Sequence, residues 1–66
     1  MVRTGLSSTV AGCLIEVVRD ERNKVGTVVV SGDYSKNIDA VKVAADLLAQ
    51  RARRVLAGYK IVEWVV

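Results

Sequence analysis

The stretch Val10-Ala11-Gly12-Cys13-Leu14-Ile15-Glu16-Val17-Val18-Arg19-Asp20-Glu21-Arg22 decides the fold, because the segments on either side take their roles from it. Val10, Leu14, Val17 and Val18 fall at helical spacing, and Glu16, Arg19, Asp20 and Arg22 fill the other side. The spacing predicts one amphipathic helix. It opens at about Ser8, where Gly5-Leu6-Ser7-Ser8-Thr9 supplies a free backbone and hydroxyl side chains able to cap a helix. Asn23 and Lys24 end it, and Met1 to Thr4 reads as a short extended opening.

Downstream, Val25-Gly26-Thr27-Val28-Val29-Val30-Ser31 is β-branched and apolar on both faces, which suits a central strand. Gly32-Asp33-Tyr34-Ser35 reads as a turn, with Ser35 the expected N-cap of a second helix. Ile38, Val41, Ala45, Leu48, Ala52 and Val55 repeat at three and four and form its apolar stripe. Lys42 and Asp46 are spaced as an i,i+4 pair, and the arginines near the end complement the helix dipole. Gly58 is the expected C-cap, and Tyr59-Lys60-Ile61-Val62-Glu63-Trp64-Val65-Val66 reads as a last strand.

The expected fold is therefore α/β: a βαβαβ two-layer sandwich, with two helices on one face of a small, three-stranded, mainly parallel sheet. Residues 1–66 form a single domain, with no repeat, linker or low-complexity segment. Parallel sheets are normally covered on both faces. Nothing in this arrangement covers the second face, so a homo-oligomer, a dimer first of all, is expected.

Composition supports that expectation. A chain of 66 residues that is 52% hydrophobic folds, but with no Phe and one Trp its core is thin. With one Cys and no His, neither disulfides nor metal ligands make up the shortage, which again favours association. Cys13 is expected as a small buried apolar residue. No apolar run approaches the roughly 18 residues of a membrane span and no signal peptide opens the chain, so a soluble, cytoplasmic protein is expected. Scarce Asn, Gln, Cys and Met, with no His or Pro, is the composition of a thermophile's protein.

A net charge of +3 suits an anionic partner. Two loops, Gly5 to Thr9 and Gly32 to Lys36, combine glycine with hydroxyl side chains where helix N-termini would offer unpaired N–H groups to phosphate. The same residues also simply cap helices and turn a chain. Arg3, Lys24, Lys60 and the Arg51, Arg53, Arg54 group would track phosphates if they share a surface, and would otherwise be a solvated face of mixed charge. The chain has no His, no evident carboxylate pair and no spacing of a dinucleotide site or P-loop, so no enzyme, cofactor or metal is expected.

Ser7-Ser8-Thr9-Val10-Ala11-Gly12-Cys13-Leu14 with Val18-Arg19-Asp20-Glu21-Arg22 resembles the first helix of the stage V sporulation protein S family. Gly32-Asp33-Tyr34-Ser35-Lys36-Asn37-Ile38-Asp39-Ala40-Val41 resembles the glycine turn and second-helix start of Alba, and Tyr59-Lys60-Ile61-Val62-Glu63 its next strand. The resemblance is to the Alba superfamily. It implies an Alba-like, dimeric, chromatin- or RNA-associated protein gripping DNA or RNA backbone with little sequence preference, nucleoid-associated in the cytoplasm. The residues it nominates are Arg3, Ser7, Ser8, Tyr34 and Lys36, with the helix-end arginines Arg53 and Arg54 beside them. Leu6-Ser7 stands where Alba has paired lysines, Asp33 replaces an arginine, and the final hairpin arm is missing, so weaker affinity is expected. The rival expectations are an assembly module of the same fold, recruiting a protein through the bare sheet and Val65-Val66, and a regulatory domain for a phosphate-bearing metabolite.

Overall fold

Val10 and Cys13 face each other across the two-residue turn Ala11-Gly12, and with that pairing the first half of the chain becomes sheet. The computed structural model describes residues 2–63. Ala11 and Gly12 have φ of 51° and 76°, the two left-handed conformations that a type I′ hairpin turn requires. Strands β1 (Val2–Val10) and β2 (Cys13–Asp20) flank it. Along β2 the burial alternates: Cys13, Ile15 and Val17 are fully buried, whereas Leu14, Glu16 and Val18 point to the other face. The true period is two, and the expected first helix is absent.

Asn23 and Lys24, expected to end that helix, belong instead to a second hairpin. The Asp20 carboxylate accepts hydrogen bonds from the backbone N–H of Arg22 (3.1 Å) and of Asn23 (3.4 Å) and from the Asn23 amide (2.7 Å). Lys24 takes the left-handed conformation at φ 55°, and Asp20 then pairs with Val25 as strand β3 (Val25–Ser31) begins.

The one α-helix among the described residues, α1 (Ile38–Val55), follows a 3₁₀ turn over Tyr34–Asn37. Ser35 is not its N-cap. The Asp33 side chain caps the 3₁₀ turn through the Ser35 N–H and hydroxyl, and Asn37 caps α1 by accepting from the Ala40 N–H at 3.4 Å. Val41, Ala45, Leu48 and Ala52 are buried as their spacing predicted, joined by Ala49, but Val55 is 60% exposed. Lys42 and Asp46 form no ion pair among the described residues.

After α1 the Tyr59 N–H donates to the Leu56 carbonyl and the Lys60 N–H to the Lys24 carbonyl (2.8 Å), which lays β4 (Lys60–Val62) alongside β3. A Cβ on Gly26 would lie 2.8 Å from Ile61 Cδ1 and 3.2 Å from Leu56 Cδ1, so glycine is what lets β4 and the helix end close over β3. Of the expected last strand, Trp64, Val65 and Val66 lie outside the described residues.

Among the described residues the sheet thus has four strands in the order β1-β2-β3-β4, antiparallel except for the β3–β4 pair. This α+β arrangement overturns the expected βαβαβ, Alba-like sandwich. The core between α1 and one sheet face is made of Cys13, Ile15, Val17, Val28, Leu48, Leu56 and helix valine and alanines, and holds no buried polar residue among those described. Cys13 is unpaired within it. On the other face Leu14, Val29 and Val62 are 37–41% exposed. An antiparallel meander tolerates one wet face, so the argument that a parallel sheet must recruit a subunit to cover it no longer applies. No helix among the described residues is long and apolar enough to cross a membrane.

Candidate nucleic-acid interface

Because α1 runs back along the sheet between two parallel strands, its C-terminus meets the start of β4 and the β2–β3 turn at one end of the molecule. The 3₁₀ turn and the Ala11-Gly12 turn lie at the other. The molecule extends 34 Å in its longest direction, and α1 alone accounts for about 27 Å of helix at 1.5 Å per residue.

Most of the basic residues gather at the first end. Arg3 is held by Glu16 at 2.9 Å, Arg19 by Glu21 at 3.0 Å and Arg53, more loosely, by Glu63 at 3.8 Å. Glu63 also meets Asp46. Its carboxyl is pushed above the ordinary range, first by the hydrogen bond with Asp46, then by burial and by the Asp46 charge, against the attraction of Arg53. Arg22, Lys24, Arg54 and Lys60 have no ion-pair partner among the described residues. Lys24 and Lys60 sit on hydrogen-bonded backbone, and the Lys24 ammonium lies 5.1 Å from the centre of the Tyr59 ring.

The residues expected to form one site are divided. Tyr34 and Lys36 are in the 3₁₀ turn, at the opposite end from Arg53 and Arg54. Ser7 and Ser8 are not in a loop: both are in β1, opposite Glu16 and Ile15, and the register shift between Arg3 and Ser7 stands where a helix-capping loop was expected. No helix N-terminus follows them. Of the two expected anion-binding loops, only Gly32 to Lys36 leads into a helix, and there Asp33 places its own carboxylate on the Ser35 N–H that a phosphate would have used. Arg22 was missed because it read as the polar side of a helix. Its signal is its place in the Asp20-to-Lys24 turn, beside Lys24.

A second feature is a groove of about 740 Å³ between β1 and α1, lined by Ser8, Val10, Asp39, Val43, Leu47 and Arg51 among others. Val43 and Leu47 are the large apolar side chains most exposed on it, at 59% and 60%. No group of three His, Cys, Asp or Glu residues among those described is placed to hold a metal ion. No family model matches the chain, and neither curated proteins nor solved structures give a match.

Proposed function

We propose that this chain is a non-catalytic, cytoplasmic nucleic-acid-binding protein that contacts the DNA or RNA phosphate backbone with little sequence preference, acting as a homodimer. The observation that carries this reading is the gathering of Arg22, Lys24, Arg54 and Lys60 at one end, none of them in an ion pair among the described residues. Contacts of this kind position a protein on the backbone without reading bases. The Alba-superfamily resemblance suggested the same ligand class, but the fold it implied is corrected above and Ser7, Ser8, Tyr34 and Lys36 lie away from this cluster, so the reading rests on the cluster itself.

Neutralising four phosphates should give log K a slope against log salt of about −3.6 on duplex DNA and about −2.8 on single strands. The test is fluorescence anisotropy of labelled duplex DNA and single-stranded RNA over a range of salt. The paired change Arg22→Glu and Lys60→Glu should weaken binding and flatten the slope, while Lys36→Glu, at the far end, should leave both nearly unchanged. A flat salt response in the unaltered protein, or loss of binding with Lys36→Glu alone, sinks this mechanism. The rival reading, an assembly module, draws on the bare sheet face with its part-exposed Leu14, Val29 and Val62. Absence of nucleic-acid binding at low salt would transfer the function to that surface.

A further inference from the structure

We propose that the groove between β1 and α1 is the seat of a second copy of this chain, joined about a two-fold axis so that the β1 edges pair antiparallel and the α1 helices run antiparallel past each other, crossing at the level of Ala45, whose own side chain lies in the core. Three observations lead there. First, among the described residues β1 pairs with β2 alone, which leaves its other edge open. The irregularity near Gly5 twists only the first part of that edge; Ser7 to Val10 is in regular register and carries neither charge nor proline, the usual guards against edge pairing.

Second, the helix face beside this open edge is apolar where an isolated protein would place charge. Val43 and Leu47 lie one turn apart and are among the most exposed large apolar residues described. A chain of 66 residues with a core of small side chains has much to gain by burying them.

Third, the stripe is self-complementary. Asp39 and Arg51 are equidistant from Ala45, and so are Val43 and Leu47. Antiparallel crossing therefore sets Val43 against Leu47 of the partner subunit and Asp39 against Arg51 of the partner subunit, each contact occurring twice. Such reciprocity is what an isologous interface requires. Neither Asp39 nor Arg51 has an ion-pair partner within the chain among the described residues. Lys36, in the 3₁₀ turn before α1, and Arg54, in its last turn, carry like charge but lie beyond the groove lining, where crossing helices diverge. The assembled dimer is one continuous sheet of two four-stranded halves with both helices on one face.

The test is sedimentation velocity across micromolar to millimolar protein, with no nucleic acid present, so its result is separate from that of the binding experiment above. The unaltered protein should show a concentration-dependent dimer. Leu47→Glu should give a monomer with unchanged far-UV circular dichroism, since its side chain lies outside the core. Asp39→Arg alone and Arg51→Asp alone should each weaken the dimer on the order of tenfold, and the two together should restore it. Rescue within one chain is excluded because the two positions are about 18 Å apart along the helix. A monomer at every concentration, a dimer indifferent to Leu47→Glu, or failure of the paired reversal to restore association would each overturn the proposal.

Discussion

Ala11 is the non-glycine residue at the heart of the first hairpin, and replacing it with Asn should make the protein more stable. Its φ of 51° is left-handed, a conformation that costs a residue with a Cβ about 1–2 kcal/mol. Asn tolerates this region because its short side chain bonds locally, and Asn-Gly is the favoured pair for a type I′ turn. Recovering roughly half of that cost gives about 1 kcal/mol, which in a domain of this size raises Tm by about 4–8 °C. On the helix that the apolar spacing suggested, the same change would cost up to about 0.7 kcal/mol. The sign therefore discriminates hairpin from helix. Gly12→Ala is the mirror control: it should destabilise by roughly 1 kcal/mol at φ 76°, yet would stabilise a helix interior. Thermal and urea unfolding followed by circular dichroism would measure both. A less stable Ala11→Asn protein together with a more stable Gly12→Ala protein would refute the hairpin and everything built on the meander.

Gly26→Ala should destabilise by about 1–2 kcal/mol despite the usual gain from a stiffer unfolded chain, because the new methyl meets Ile61 Cδ1 and Leu56 Cδ1. Adding Ile61→Val, which removes the closer methyl, should return part of the loss in a double-mutant cycle on urea unfolding; strict additivity would mean β4 does not pack there. Asp20 titrates below the ordinary carboxylate range, chiefly through its bond from the Asn23 side chain and then from the backbone N–H groups. Its stabilising contribution is present above the unfolded value, about pH 4, and is lost as pH falls through the lower folded value, so Asp20→Asn should flatten the acid limb of a stability-against-pH curve. Glu63 has the opposite sign. Its raised folded value means stability present below the unfolded value and lost as pH rises through the folded one, so Glu63→Gln should gain on the unaltered protein near neutral pH.

Some of this architecture is legible in the sequence. The long stripe from Val41 to Ala52 leaves no competing period, and α1 is where it predicts. Val25 to Ser31 is strand-like by β-branching and is β3. The misreading came from Leu14 to Val18, which is apolar except at Glu16, so periods of two and of 3.6 both fit it. The deciding signals are in the turns: Ala11-Gly12, whose glycine fits a hairpin turn better than a helix interior, and Asp20 with Asn23, whose side chains fold the second hairpin. Branched Ile15, Val17 and Val18 pointed the same way. The candidate site inherited the error. Lys24, Lys60 and Arg54 were recognisable as cations, but only the meander brings Arg22 to them and carries Lys36 away.

The β3–β4 pairing has a consequence for the order in which the chain folds. The first three strands join through turns of two and four residues, whereas Lys60 must find Val25 from 35 positions away, after α1 has formed between them. Long closures are entropically slow and short ones fast, so the meander assembles first and β4 docks last. A strand of three residues held by one neighbour is also the first to open in the native state. Lys60 rides on that strand and Lys24 on the turn it docks against, so a polyanion bridging the two would act as a clasp, holding shut the last part of the molecule to close.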